Sequence, residues 1–337
     1  MNLKIINILL TFLLLPLNTT TPVTFQGKSY IVMEASNQVV IEGSNEDYIQ
    51  SVASISKIMT CIIAIENMDL DTVITVDETI NQAWGSGIYI HIGDKITLRD
   101  LLYGLMLRSG NDAAVMIAKA VGKEVSKFVD MMNDKAKQLE LHNTTFSNPT
   151  GLDEEDNGNL STVYDMARLM AYCHQNPIFN EIVATEKYNR EDGNGTWKNK
   201  NKLLTNYEYC IGGKTGFTKK AKRTLITMAR KDDLDLIIVT FNCGNDFEFH
   251  QQKYEECYEK LKETKIFSKG IVEFKQQQYY LDFDILVNKQ ENDQVDVSFE
   301  NDEIIVSLND QPVARQKVVP YNFFIGLKMI FKDLFYG

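Results

Sequence analysis

The chain has 337 residues, a formal net charge of −11, and 44% hydrophobic against 24% charged residues. That is a globular balance with material for two or three domains. The acidic excess argues against nucleic acid as a partner, because neutralising phosphates takes basic patches; a small acidic substrate needs only a local cation.

The first residues read as a targeting segment. Lys4 precedes an apolar run from Ile5 to Leu17, and the polar Asn18-Thr19-Thr20-Thr21 follows. A weakly basic start and an apolar stretch too short to span a bilayer comfortably describe a signal peptide over residues 1–22. The alternative is a buried N-terminal helix. On the first reading the protein works outside the cytoplasmic membrane, at its outer face.

Residues 30–33 and 38–41 then predict a hairpin. The apolar stretch after Ser54 predicts a helix buried inside a domain. Thr97-Leu98-Arg99-Asp100 opens the next helix in capping-box fashion, with Asp100 in place of the usual Glu, and that helix stops near Ser109-Gly110. Further helices are expected over 112–121, with Gly122 as C-cap, over about 127–139, and from Thr162 to just before Asn176-Pro177. Residues 225–229 and 234–241 predict two strands joined by the polar turn Lys231-Asp232-Asp233. Helices enclosed by strands from both ends indicate one α+β domain over 23–262 whose sheet uses both ends of its sequence.

Beyond Phe267 the period changes. Leu281, Phe283, Ile285 and Val287 alternate with polar residues, as do Val295, Val297 and Phe299, and then Ile304, Val306 and Leu308. Period two over short runs predicts a small β-rich domain over 263–318. In the tail, 319–337, Phe323, Leu327, Ile330 and Leu334 fall at helical spacing. That suits an amphipathic helix lying on a membrane surface. The alternative is a helix docked on the β domain.

The five cysteines form no C-x-x-C pair and read as small buried residues. The four histidines are scattered, so neither a metal site nor a histidine-based triad is expected, and no cofactor is called for.

Three short motifs carry chemistry. Ser54-Ile55-Ser56-Lys57 puts a hydroxyl and an amine three residues apart, on one helix face. Alone, Ser-x-x-Lys occurs about once by chance in a chain of this length. Ser109-Gly110-Asn111 sits at a junction between helices, where short polar side chains can enter a cleft. Lys214-Thr215-Gly216 follows Gly212-Gly213 and precedes a strand-like run. Each of these is also common as a turn. All three in this order make the set used by penicillin-binding proteins and class A β-lactamases.

Here the chain resembles the low-molecular-mass penicillin-binding proteins that are D-alanyl-D-alanine carboxypeptidases (peptidase family S11). The likeness runs from about Ser29 to Asn242. It includes Gly93-Asp94-Lys95-Ile96-Thr97-Leu98, Asn148-Pro149-Thr150-Gly151-Leu152, Ser161-Thr162 with Asp165, and Asn201-Lys202-Leu203-Leu204. Ala221-Lys222-Arg223-Thr224-Leu225 is similar to members from spore-forming Gram-positive bacteria. Departures are Val52, where many members have proline, and Lys222, where many have glycine. The resemblance implies a β-lactamase/transpeptidase-like fold, an antiparallel sheet flanked by helices, and a substrate that is a peptidoglycan stem peptide ending in D-Ala-D-Ala. β-Lactam antibiotics are then expected to acylate the same serine.

In that scheme Ser54 is the nucleophile and Lys57 its base, which requires a neutral amine. Burial, the positive end of its own helix and the nearby Lys214 are expected to keep Lys57 neutral. Ser109 relays a proton to the departing amine. Asn111 holds Lys57 and the substrate amide, and Lys214, Thr215 and Gly216 receive the terminal carboxylate. The backbone N–H groups of Ser54 and Phe217 form the oxyanion hole. Glu140-Leu141-His142-Asn143 only partly matches the glutamate motif of class A β-lactamases and reads as a helix end. A D,D-endopeptidase, a β-lactamase and a non-catalytic penicillin-binding module are the alternatives.

Overall fold

A computed structural model describes residues 23–153, 158–274 and 276–321. The expected signal peptide, 1–22, lies outside the described residues, as does the expected tail helix apart from residues 319–321.

The first unit is built on five antiparallel strands: β1 (Ser29–Glu34), β2 (Val40–Ser44), β3 (Cys210–Thr218), β4 (Lys222–Lys231) and β5 (Leu234–Phe241), in the order β2-β1-β5-β4-β3. The first and last parts of the domain therefore share one sheet, with Ile31 opposite Val239. The near-continuous apolar run of β5 follows from burial on both faces. Ile237 and Val239 join the core beneath the helical layer. Leu236 and Ile238 join a second core with Tyr254 and Tyr258.

The helical layer comprises α1 (Lys57–Asn67), α2 (Leu98–Leu107), α3 (Asn111–Gly122), α4 (Val125–Gln138), α5 (Val163–His174) and α6 (Pro177–Ala184). Helix α7 (Asp246–Lys260) covers the opposite face of the sheet. Capping follows the sequence closely. The Thr97 hydroxyl accepts from the N–H of Asp100, and Thr162 accepts from that of Asp165.

Two helix ends differ from expectation. Gly122 is not a C-cap but the last residue of α3, and Lys123 takes the left-handed conformation at φ 66°. Gly122 is required by packing, because a Cβ there would lie 2.7 Å from the backbone N of Phe128. Ser54 occupies a 3-10 turn, Ala53–Ser56, and Lys57 is the first residue of α1. Helices α6 and α7 had no place in the sequence reading, although Asn176 caps α6 with Pro177 at its first position.

The second unit is all β, with strands Lys262–Phe267, Gly270–Phe274, Gln277–Leu281, Ile285–Lys289, Val295–Glu300, Glu303–Leu308 and Gln311–Lys317. Tyr279, Leu281, Ile285, Val287, Ile304 and Val306 form its own core. It seats on the turn between β1 and β2, where Gln311 accepts from the N–H of Val40 and Val39 packs into the β core. Val319–Pro320, placed in the tail helix by the sequence pattern, is a short strand paired with Tyr279 and Tyr280. Among the described residues, no helix is long and apolar enough to cross a membrane. All five cysteines are buried thiols.

Candidate active site

The 3-10 turn carrying Ser54, the α2–α3 junction carrying Ser109 and the edge strand β3 meet around one cavity of about 600 Å3. Ser54, Ser109, Thr215, Gly216 and Phe217 all line it. Gly216 allows the close approach: a Cβ there would be 2.4 Å from the Thr224 hydroxyl and 3.1 Å from the Ser54 nitrogen. Ser54 is the second residue of its turn, so its N–H belongs to the first-turn donors that have no acceptor within the helix. Among the described residues β3 pairs only with β4, so every second backbone group along it faces away from the sheet. Phe217, 64% exposed, stands at the rim.

Lys57 is fully buried, and its Nζ has three neighbours. It lies 3.1 Å from Ser54 Oγ, donates to Asn111 Oδ1 at 2.7 Å, and donates to the carbonyl of Thr150. A neutral amine has two N–H groups and one lone pair. Asn111 and Thr150 can only accept, so they take both N–H groups. The lone pair is left for the Ser54 hydroxyl, which is the orientation a general base needs. Burial is the main cause that lowers Lys57, from 10.5 to about 7; the Lys200 cation adds to it and the Asp112 carboxylate opposes it. Lys200 joins the expected Lys214 as a second amine coupled to Lys57. Lys214 is itself held well below the usual lysine range, by burial first and then by Lys57 and Lys200.

Lys214 donates to Ser109 Oγ at 3.0 Å and to the carbonyl of its neighbour Thr215 at 2.7 Å. Ser109 sits at φ +63°, a strained position that turns its side chain off the end of α2. The site thus has two arms, Ser54–Lys57–Asn111 and Ser109–Lys214. Asn111 ties the first arm to the opposite wall, since its Nδ2 donates to the carbonyl of Trp84 at 2.5 Å.

The Thr150 carbonyl is held by a compact loop. Asn148 Oδ1 accepts from Thr150 N, Thr150 Oγ1 and Gly151 N. Asn159 binds the backbone of Asn148 in turn. Gly151, at φ +80°, lies directly beneath the Ser54 turn: a Cβ there would be 2.1 Å from the carbonyl oxygen of Ala53.

Four features of the site were not assigned in the sequence. The Thr150 carbonyl lies in Asn148-Pro149-Thr150-Gly151-Leu152, a stretch that carried the family likeness without a role. Lys200 and Lys202 line the cavity; Lys202 belongs to the Asn201-Lys202-Leu203-Leu204 likeness, and the signal for Lys200 is three lysines at alternate positions, 198 to 202, in an acidic chain. Lys200 is also lowered, by burial first and Arg108 second. Arg223 lines the cavity while holding Asp246 through Nε at 3.0 Å and a second nitrogen at 2.6 Å. The turn into α7 supplies Asn245 to Glu248. Glu140, by contrast, lies two residues beyond the end of α4, pairs with Arg168 and does not line the cavity.

The family model for D-alanyl-D-alanine carboxypeptidases of type S11 matches residues 17–245. D-alanyl-D-alanine carboxypeptidase DacF of Bacillus subtilis is 32% identical over 241 residues, which are 69% of this chain and 61% of the relative's length. DacB2 of Mycobacterium tuberculosis is 30% identical across 63% of this chain and 73% of its own length. The structure of a D-alanyl-D-alanine carboxypeptidase from M. tuberculosis superposes with a TM-score of 0.67 at 26% identity, covering 72% of this chain and 95% of that one. Penicillin-binding protein 5 of Haemophilus influenzae shares the fold over 90% of this chain and 98% of its own, with a TM-score of 0.74 at 20% identity. The chain therefore belongs to the S11 family of D-alanyl-D-alanine carboxypeptidases.

Proposed function

We propose that this chain is a serine-type carboxypeptidase that removes the terminal D-alanine from peptidoglycan stem peptides. The observation that carries the reading is the Lys57 amine: it is buried, lowered to about 7, and bound by two acceptors so that its lone pair faces Ser54. Ser54 attacks the carbonyl of the penultimate D-Ala and passes its proton to Lys57. The N–H groups of Ser54 and Phe217 receive the oxyanion. Ser109, bound to Lys214, delivers a proton to the departing amine. Thr215 and Gly216, with Lys214 behind them, receive the terminal carboxylate. Water then releases the acyl-enzyme. β-Lactams acylate the same Ser54.

The apolar run within residues 1–22 and the helical spacing of the tail support work at the outer face of the cytoplasmic membrane. The domain reading of 23–262, 263–318 and 319–337 goes with this: a catalytic unit, a β-rich spacer and a membrane-associating segment. Endopeptidase action on cross-links is the second reading. A relative named D-alanyl-D-alanine endopeptidase, from Pseudomonas aeruginosa, is 29% identical.

The test incubates the chain with a stem pentapeptide and, separately, with labelled penicillin. D-Ala release and slow loss of the label are expected. Fast penicillin turnover without D-Ala release would make the protein a β-lactamase. Ser54→Ala should abolish both reactions, and surviving D-Ala release would remove Ser54 from its role.

A further inference from the structure

A second cavity, of about 280 Å3, adjoins the Ser54 cleft and shares Ser86 with it. Its lip carries two largely exposed aromatic side chains, Trp84 at 62% and Tyr89 at 78%. Isolated exposed aromatics need no explanation, but three observations set these apart.

The segment that carries them is fixed to the active site. The backbone N–H of Asn111 donates to the Ser86 carbonyl at 2.8 Å, and the Asn111 side chain donates to that of Trp84. The Asp112 carboxylate accepts from the N–H groups of Ile88 at 2.9 Å and Tyr89 at 2.7 Å. Tyr89 is held at φ +62°, an unfavourable conformation for a bulky side chain. Its ring gains no burial in return. Asp112, nearly buried, lines the same cavity; its hydrogen bonds are to backbone N–H groups, and among the described residues it has no ion pair.

Exposed aromatic side chains lining one cavity with a carboxylate that has no ion-pair partner among the described residues attract an organic cation. We propose that this cavity is the subsite for the side-chain ammonium of the diamino residue that precedes the two D-alanines of the stem peptide. The inference rests on the carboxypeptidase reading above. The reach is short enough. One Asn111 side chain bridges Lys57 and the Trp84 carbonyl. The diamino residue is next to the D-Ala under attack, about 3.5 Å along an extended chain, and its flexible four-carbon stem covers the remainder. A neutral Lys57 does not repel that ammonium.

The experiment uses the full chain and two pentapeptides that differ only at the third residue, lysine or Nε-acetyl-lysine. Wild-type kcat/KM should favour the free amine by about tenfold, mainly through KM. Trp84→Ala and Tyr89→Ala should bring the ratio close to one, and Tyr89→Phe should keep it. A wild-type ratio near one, or a ratio that survives both alanine variants, overturns the proposal. So does a gain that depends instead on adding the glycan disaccharide and is lost in Trp84→Ala, since the lip would then read sugar. If neither peptide releases D-Ala, the carboxypeptidase reading falls. The subsite is then judged by how well each peptide protects Ser54 from labelled penicillin, with the same tenfold preference required and equal protection overturning it.

Discussion

The sharpest consequence of the site is a pH dependence of acylation. With Lys57 at about 7, the neutral fraction is about a tenth at pH 6, about half at pH 7 and about nine-tenths at pH 8. Neutral Lys57 is the active form, so acylation of Ser54 should rise with pH, roughly tenfold from 6 to 8, and then level off. A lysine at its ordinary 10.5 would be neutral in only about one molecule in three thousand at pH 7, and its rate would climb tenfold per unit well past pH 9. The perturbation that tests the cause is Lys200→Glu. Lys200 lowers Lys57, so reversing its charge should move the acid limb upward, by about half a unit to one unit for a partly solvated neighbour. Since Lys200 also lines the cleft, the position of the limb, not the absolute rate, is the readout. The assay is the single-turnover rate of labelled-penicillin attachment between pH 5.5 and 9.5. A wild-type rate that is flat from 5.5 to 8 would refute Lys57 as the base. A log-linear climb through pH 9 would refute its lowered pKa. An unmoved limb in Lys200→Glu would refute the assigned electrostatic cause.

Two glycine substitutions separate the site from the scaffold. Gly151→Ala places a methyl group 2.1 Å from the Ala53 carbonyl oxygen at a φ of +80°, which should cost about 3 kcal/mol or more. It also displaces the Thr150 carbonyl, so denaturant titration should show lower stability and the remaining folded protein should acylate at least tenfold more slowly. A normal acylation rate would mean that the Thr150 carbonyl is dispensable. Gly122→Ala pushes α3 from Phe128, 2.7 Å away, and should cost about 1–3 kcal/mol. Its acylation rate constant should be unchanged, because the α3–α4 junction does not line the cleft; a slowed reaction would show coupling along α3 to Asn111.

The sequence revealed the reactive groups better than the walls that control them. Ser54, Lys57, Ser109 and Lys214 were legible because two hydroxyls and two amines recur in a fixed order with helix starts and a strand around them. Thr97 and Thr162 were legible as caps because capping is a local side-chain-to-backbone interaction. Gly122 was misread because its cause is Phe128, a residue met only after the chain has turned. Helix α7 went unread because its buried face, Tyr254, Cys257 and Tyr258, is interrupted by charge. That face is completed only by Leu236 and Ile238 of β5. Lys200 and the Thr150 carbonyl act on Lys57 through space, from 143 and 93 residues away in sequence. Their roles depend on where the chain returns, which no local pattern encodes.

The neutral lysine also bears on the second half of the proposed mechanism. Once Lys57 holds the Ser54 proton it is an ammonium in a buried shell, close enough to Lys200 and Lys214 for each charge to disfavour the other. The surroundings that make it a base before acylation therefore make it a ready proton donor after it. Asn111 and Thr150 occupy two of its three N–H groups, so the transferable proton is the third, on the side of Ser54 and the cleft. Ser109, already bound to Lys214, is the hydroxyl at that cleft able to accept a proton from one neighbour and donate one to the departing amine. After the amine leaves, Lys57 is neutral again and can activate water for the next step. Glu140, where the glutamate of a class A β-lactamase motif was sought, lies beyond the end of α4 and does not line the cavity. A penicillin whose leaving group stays attached blocks that water while still consuming Ser54. On this reasoning slow loss of a penicillin label and release of D-Ala are both expected of the same Ser54 and Lys57.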